Sequence, residues 1–330
     1  MRPMMWMRHL VLLACLAMGP ASALAGDARA CVLQPADRLW IERALGNWRW
    51  AGTNLLHLPA VPMPEVVAVD ATCQTNAVPH TGAPIRWRGR LHHGKVTMPD
   101  GNGAPVGVMS FAGPNPKDPR GFFVMSMPSV WRKGGVTSEL GLETLMDGVL
   151  LHEMMHTRQF AFANPAMAAL SKRYGLPEEI NDDSIQAAFK DDPAYVSAWQ
   201  AETDLLYAAA AAPTDAEARR LARKALTAMR VRHAMWFVGP GEKWKPLDDI
   251  FLQMEGLGQW LIYKYYVDGP NKVYAPGAAL KAVRRGRKQW SQDEGLGLML
   301  VVDRLVPGWQ DGAFAAQPML AEALLARAAA

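Results

Sequence analysis

Residues 148–160 read GVLLHEMMHTRQF and place His152 and His156 four positions apart, with Glu153 directly after the first histidine. In an α-helix, residues four apart lie on one face about a turn from each other, so both imidazoles can reach a single point. Glu153 would project beside that point, where a general base for a metal-bound water has to stand. The stretch therefore predicts a helix that carries two metal ligands and a base.

The surrounding residues favour a helix packed inside the protein. Apolar residues recur at three and four positions from Leu142 to Phe160, which is the period of one helical face. Thr137 or Ser138 is expected to cap its N-terminus. Two histidines on a core-facing stripe each need a polar partner, and one metal ion would satisfy both. The alternative is an amphipathic helix with two ordinary histidines.

His-Glu-x-x-His on a helix resembles the zincin metallopeptidases. The segment HTRQFAFANP (156–165) contains neither the glycine nor the third histidine of one zincin branch, so the resemblance points to the gluzincin branch, in which a glutamate on a later helix completes the site. It implies one Zn²⁺ per chain, held by His152, His156 and that glutamate, with Glu153 as the general base. Arg158 departs from the apolar residue that is usual two positions after the second histidine.

Two glutamates compete for the third ligand position. Glu255 lies in DIFLQMEGLGQWLIYKYY (249–266), and its Glu-Gly step resembles the Asn-Glu-Gly-Phe-Ala segment of one gluzincin aminopeptidase branch. A single carboxylate in an otherwise apolar helix suits a buried ligand. Glu202, in SAWQAETDLLYAAA (197–210), is the rival, although Asp204 gives it a more polar setting. The glutamate that does not bind metal could accept a proton from a ligand imidazole.

The resemblance also implies an oxyanion donor and a substrate-lining strand. Tyr266 lies eleven residues after Glu255, nearly in phase on the same helical face, and is the first candidate donor. Tyr263 and His233 are alternatives, and each of the three could equally serve packing or lie at the surface. The run FFVMSM (122–127) occupies the place of that edge strand, so that Met125 or Ser126 would border the cleft; a core strand is the alternative.

The chain changes from strand-like runs to helical periodicity near residue 137. Residues 65–127 contain short apolar runs bounded by proline and glycine, which predict a small antiparallel sheet. A first helix is expected at 35–50, and helices follow one another after residue 137. The expected fold class is α+β, with a sheet-bearing N-terminal part at 26–136. A predominantly helical, zincin-like part at 137–330 carries the metal site, and the two parts form one catalytic unit.

Residues 1–25 have the pattern of a secretory signal peptide: arginines, a short apolar run, and then ASALA before Gly26. Its removal leaves Cys31 and Cys73, and in an oxidising compartment such a pair predicts one disulfide. Two buried free thiols are the alternative. We therefore expect an exported protein, periplasmic or extracellular.

Composition argues against other classes of protein. Half of the 330 residues are hydrophobic and 20% are charged, as in ordinary globular proteins. Removal of the signal peptide, which holds two arginines and no acidic residue, lowers the net charge of the chain from +4 to +2. Because the mature chain would be nearly neutral, nucleic acid is not an expected partner. No later segment has 18 unbroken apolar residues, so stable membrane insertion is not expected. The basic run KAVRRGRK (281–288) is interpreted as a solvated helix.

Together these features predict an exported, zinc-dependent metallohydrolase, most simply a peptidase whose partner is a peptide or protein substrate. Two alternatives stay open: a zinc amidase acting on cell-wall peptides, and a non-catalytic exported binding domain whose zinc is structural or absent. Glu153 favours catalysis, because a structural site needs no carboxylate next to the first histidine. No pattern in the sequence indicates an oligomeric state.

Overall fold

The computed structural model describes residues 30–58, 63–79, 83–115, 117–177, 179–270, 274–315 and 317–330. It has the expected α+β fold, with strands in the first part of the chain and helices in the rest. The signal peptide inferred at residues 1–25 lies outside the described residues. The described strands are β1 (Glu65–Val69), β2 (Cys73–Ala77), β3 (Arg88–Leu91), β4 (Lys95–Thr97), β5 (Gly103–Pro105), β6 (Ser110–Asn115) and β7 (Asp118–Ser126).

Helix α1 precedes the strands and the other helices follow them, close to the segments with helical periodicity. A short 3-10 turn at Gly239–Gly241 precedes the seventh helix. The helices are α1 (Pro35–Asn54), α2 (Pro128–Lys133), α3 (Leu142–Tyr174), α4 (Ser184–Phe189), α5 (Pro193–Ala210), α6 (Asp215–Trp236), α7 (Trp244–Asp268), α8 (Pro276–Val283), α9 (Trp290–Leu305), α10 (Trp309–Ala313) and α11 (Ala321–Ala329).

The main sheet has five strands in the order β3-β2-β1-β7-β6, while β4 and β5 form a separate two-stranded pair. Its pairs are antiparallel except for β1 and β7, which run parallel with Val66 opposite Phe123. The sheet is therefore antiparallel-rich rather than purely antiparallel.

Of the two interpretations of residues 122–127, the structure shows the core strand and not the edge strand. These residues belong to β7, which is paired on both sides and fully buried at Met125 and Ser126. A strand that is buried on both faces reads as a continuous apolar run. The edge position is taken instead by β6, which contains Pro114, a residue that cannot donate to a sheet ladder.

Helix α3 is the long element that connects the sheet to the helical part. It packs against β6 and β7 on one side and against α7 on another. It starts after Gly141, whose φ of 86° falls in a region open mainly to glycine, so the expected caps at Thr137 and Ser138 are wrong. It continues through Pro165 and ends at Gly175, which has the left-handed conformation common after helices.

The sulfur atoms of Cys31 and Cys73 form the expected disulfide, with their Cα atoms 5.9 Å apart. The bond attaches the segment before α1 to β2, next to the backbone of Gly89 in β3. Among the described residues, no helix combines the length and apolar character needed to span a bilayer.

Replacing both cysteines with serine is expected to lower the free energy of unfolding by roughly 4 kcal/mol, the chain-entropy value for a loop of this length. The two cysteines that close the loop are 42 positions apart in the sequence. Urea unfolding of the double variant, compared with the oxidised and the chemically reduced wild-type protein, measures the change. A midpoint that moves in neither case would contradict a stabilising role.

Candidate metal centre

Three side chains from α3 and α7 converge on one point. The Nε2 atom of His152 lies 3.1 Å from Oε2 of Glu255, and Nε2 of His156 lies 3.3 Å from Oε1 of the same carboxylate. One donor atom from each residue fits within a mutual separation of 4.8 Å. Two imidazoles and one carboxylate therefore form a group that could hold a metal ion.

The separations have the size that a small metal ion requires. Ligand bonds of 2.0–2.1 Å at tetrahedral angles place neighbouring donor atoms about 3.3 Å apart, and each histidine lies at about that distance from one of the two oxygens of Glu255. His152 and Glu255 are buried, at 4% and 7% exposure. In such a setting, an ion would satisfy the carboxylate and both imidazoles together.

Glycine is required where α7 crosses His152. A Cβ atom added at Gly258 would stand 2.4 Å from Nδ1 of His152, much closer than real contacts allow. The imidazole thus lies directly on the backbone of α7, one turn from Glu255. A second close crossing involves Gly256, whose Cβ would fall 2.6 Å from the carbonyl oxygen of Gly295 in α9. Gly258 and Gly256 therefore allow α3 and α9 to approach α7 closely on either side of Glu255.

His156 is oriented by the side chain of Gln159. The Nδ1 atom of His156 and Oε1 of Gln159 are 2.9 Å apart, so an Nδ1–H would donate to this oxygen and leave Nε2 for the metal. The amide nitrogen of Gln159 donates in turn to the backbone carbonyls of Gln253 and Met254, at 3.4 Å each. Gln159 therefore links the second histidine to α7, just before Glu255.

Glu255 is also held by a polar chain that the sequence did not reveal. Nε2 of Gln292 in α9 donates to Oε2 of Glu255 at 3.0 Å, and Nε of Arg285 donates to Oε1 of Gln292 at 2.8 Å. The interpretation of 281–288 as a solvated helix is wrong, because α8 ends at Val283. The side chains of Arg284 and Arg285 turn toward α9 and donate to Asp293 and Gln292, while that of Arg287 pairs with Asp204 in α5.

Glu153 lies beside this group but is not part of it. Its side chain is buried at 4% exposure, and its carboxylate accepts a hydrogen bond from the backbone N–H of Ala112 in β6. Burial, with a further contribution from the nearby Glu255 carboxylate, raises the pKa of Glu153 well above its usual range. The residue therefore connects the edge strand of the sheet with the metal group.

Asp182 is a further acidic residue near the centre. It is half-buried in the loop before α4, and burial together with the Glu255 carboxylate raises its pKa well above the usual range, while His156 acts in the opposite direction. In the sequence it belongs to an Asn-Asp-Asp run before a short helix, which looks like ordinary capping. No local sequence pattern distinguishes an aspartate that caps a helix from one that lies near a metal centre.

The structure does not bring Glu202 to the metal group. Both of its oxygens accept hydrogen bonds from the fully buried guanidinium of Arg232, at 2.8 and 3.0 Å. The same guanidinium also donates to Asp248 and Glu294. Burial and Glu202, against the opposing effect of Arg232, raise the pKa of Glu294 well above its usual range.

The three tyrosine and histidine candidates for an oxyanion donor lie elsewhere. The hydroxyl of Tyr266 donates to the carbonyl of Thr144 at 2.9 Å, and Thr144 is eight residues, about 12 Å of helix, before His152. His233 is paired with Asp248 at 2.8 Å in the Arg232 cluster. Tyr263 is half-buried near Lys264. In these contacts Tyr266 and His233 are engaged with Thr144 and Asp248 rather than with the His152–His156–Glu255 group.

Comparison with known proteins found no matching family model, no matching curated protein and no matching solved structure. The chemistry of the centre therefore has to be argued from its own residues.

Replacing Gly258 with alanine is expected to weaken zinc binding by about 10- to 100-fold, the range for residues that orient metal ligands, because the new methyl group displaces His152. The matched control is Gly46→Ala, in α1, where an added Cβ meets nothing within 4 Å. Competition with a chromogenic chelator measures both affinities. Equal affinities in the two variants would show that the His152 ring does not bind the ion.

The Glu255→Gln variant is expected to retain far less than one zinc per chain, whereas Glu202→Gln should retain the wild-type amount. The second variant should instead lose about 3–5 kcal/mol of stability, since it breaks a buried ion pair. Elemental analysis of the folded protein, together with urea unfolding, separates these effects. Loss of zinc from Glu202→Gln with retention in Glu255→Gln would reverse the assignment.

Proposed function

We propose that the protein is an exported, zinc-dependent metallohydrolase of gluzincin type that cleaves peptide bonds. The observation that carries this proposal is the place of Glu153. Its buried carboxylate lies between the His152–His156–Glu255 group and the edge strand β6, next to one residue that would hold the ion. A metal bound only for structure would need no such carboxylate.

His152, His156 and Glu255 would hold the zinc ion and leave one position open, as in zinc sites with three protein ligands. Zinc, when bound, supplies Lewis-acid activation of a water molecule and of the scissile carbonyl. Gln159 and Gln292 keep the histidine and the carboxylate in place. The donor set is formed by two helices that pack directly on each other, so its geometry is largely set before any ion binds.

Glu153 would take the proton from the attacking water and pass it to the leaving amine. Burial favours its neutral form, and the Ala112 N–H favours its charged form. These opposing effects suit a group that has to gain and then lose a proton in one cycle. The N–H also fixes the direction of the carboxylate, so the base does not have to be ordered during the reaction.

The position of β6 at the edge of the sheet favours a peptide as the substrate. β6 pairs only with β7 in the described sheet, so its other edge presents backbone groups to which an extended chain can add as a further strand. The hydrogen bond from Ala112 to Glu153 places this edge next to the base. A peptide bound along β6 would therefore pass beside the residue that handles the proton.

The disulfide supports export. Bonds of this kind form and persist mainly in oxidising compartments such as the periplasm and the extracellular space, and Cys31–Cys73 attaches the first described segment to the sheet. The arrangement agrees with a mature chain that begins shortly before Cys31.

The Glu153→Gln variant is expected to keep about one zinc per chain and to lose hydrolysis of a quenched fluorescent peptide library by roughly 100- to 10,000-fold, the contribution of a general base. Its control is Glu143→Gln, on the same helix, where the side chain is 44% exposed and paired with Arg43. A Glu153→Gln variant with full activity would exclude this mechanism. A zinc-loaded wild-type protein that cleaves no peptide in the library would argue against the peptidase assignment.

A further inference from the structure

A cavity of about 510 Å³ lies on the side of α3 that faces away from the metal centre. Arg158 lines it and is two residues after His156, which is about 200° around the helix axis. Thr157 and Ala161 of the same helix also line it, as do residues at the end of α1 and in α10. The lining of the cavity does not include His152, Glu153, His156 or Glu255.

The guanidinium of Arg158 is not neutralised within the described part of the chain. Its Nε atom is buried without a hydrogen-bond partner. Removing a cation from water without a partner is costly, and this residue occupies a position where the resemblance noted above favours an apolar side chain.

The other charged groups at the cavity do not compensate for Arg158. Arg120 is engaged elsewhere: it donates to Asp118 through Nε at 2.8 Å and to the carbonyl of Met63 through Nη1 at 3.2 Å. Asp311 lines the cavity but is exposed to water. His57 lines the exposed rim, with φ of 52°. Arg158 is thus the cation that an incoming anion would meet.

The rest of the lining includes apolar side chains, among them Leu56, Leu58, Phe162 and Phe314. A volume of this size falls in the range of small-molecule sites, which combine apolar walls with a few polar groups. An arginine fork matches a carboxylate or phosphate in a bidentate manner. We propose that this cavity is a binding site for a small organic anion, with a carboxylate or phosphate head on Arg158 and an apolar body against Leu56 and Phe314.

The proposal is tested by calorimetric titration of the protein with hexanoate and with hexyl phosphate. One molecule is expected to bind per chain, and Arg158→Met should weaken binding at least tenfold. Arg173→Met is the control, because Arg173 lies on the same helix with its side chain 68% exposed. Binding that is equally tight in the two variants would overturn the proposal.

Anions can also bind a metal ion, so the titration is repeated with the Glu255→Gln variant. Retention of binding there supports the site at Arg158, whether or not the protein proves to be a peptidase. Loss of binding there overturns the proposal and places the anion at the metal centre. Two further probes test whether the site requires the anionic head and the apolar body of the ligand: 1-hexanol lacks the first and inorganic phosphate lacks the second. Binding of 1-hexanol as tight as that of hexanoate, or of inorganic phosphate as tight as that of hexyl phosphate, contradicts the assignment.

The thermal stability of the ligand-free protein provides an independent readout. Because Nε of Arg158 is buried without a hydrogen-bond partner, Arg158→Met is expected to leave the melting temperature unchanged or to raise it, while the increase produced by hexanoate disappears. If the methionine variant fails to fold, Arg158→Lys keeps the charge without the fork, and its binding should again be weaker. A lysine variant with wild-type affinity would exclude bidentate recognition.

Discussion

The candidate centre depends on the close approach of α3 and α7, at which one carboxylate meets two imidazoles. Gly258 permits this approach because His152 lies against the α7 backbone where a methyl group would stand. One turn earlier on α3, Gly148 has the same role toward Ile262 and Tyr266. Small residues along the crossing thus determine the separation of the helices. The same separation sets the distance from Glu255 to the histidines.

Burial alone does not make a carboxylate available to a metal ion. Glu255 and Glu202 are both buried on apolar helices. Glu202 is neutralised by the rigid guanidinium of Arg232, in a cluster that also holds Asp248 and Glu294. Glu255 instead has two imidazoles and the amide of Gln292 as neighbours. Glu202 is thus paired directly with a guanidinium, whereas Arg285 is linked to Glu255 through the side chain of Gln292.

Helix α3 presents a different environment on each of its sides. One side carries the histidines toward α7, and Glu153 faces β6 from an adjacent position. The opposite side, at Arg158, lines the separate cavity. The helix is therefore surrounded by protein over much of its circumference. This explains why a histidine, a glutamate and an arginine within seven consecutive residues are all removed from water, each with different neighbours.

The local features could be predicted from the sequence: the His-Glu-x-x-His helix, the change from strands to helices near residue 137, and a cysteine pair that forms one disulfide. These follow from periodicity and residue type, which act over short stretches of chain. The three-dimensional packing was needed to show which glutamate meets the histidines, which strand forms the sheet edge, and that Gln292 and Arg285 extend the polar chain from Glu255. Glu202 and Glu255 both lie among apolar residues in sequence. Their partners come from other helices, Arg232 in one case and the α3 histidines in the other, and packing alone brings such distant groups together.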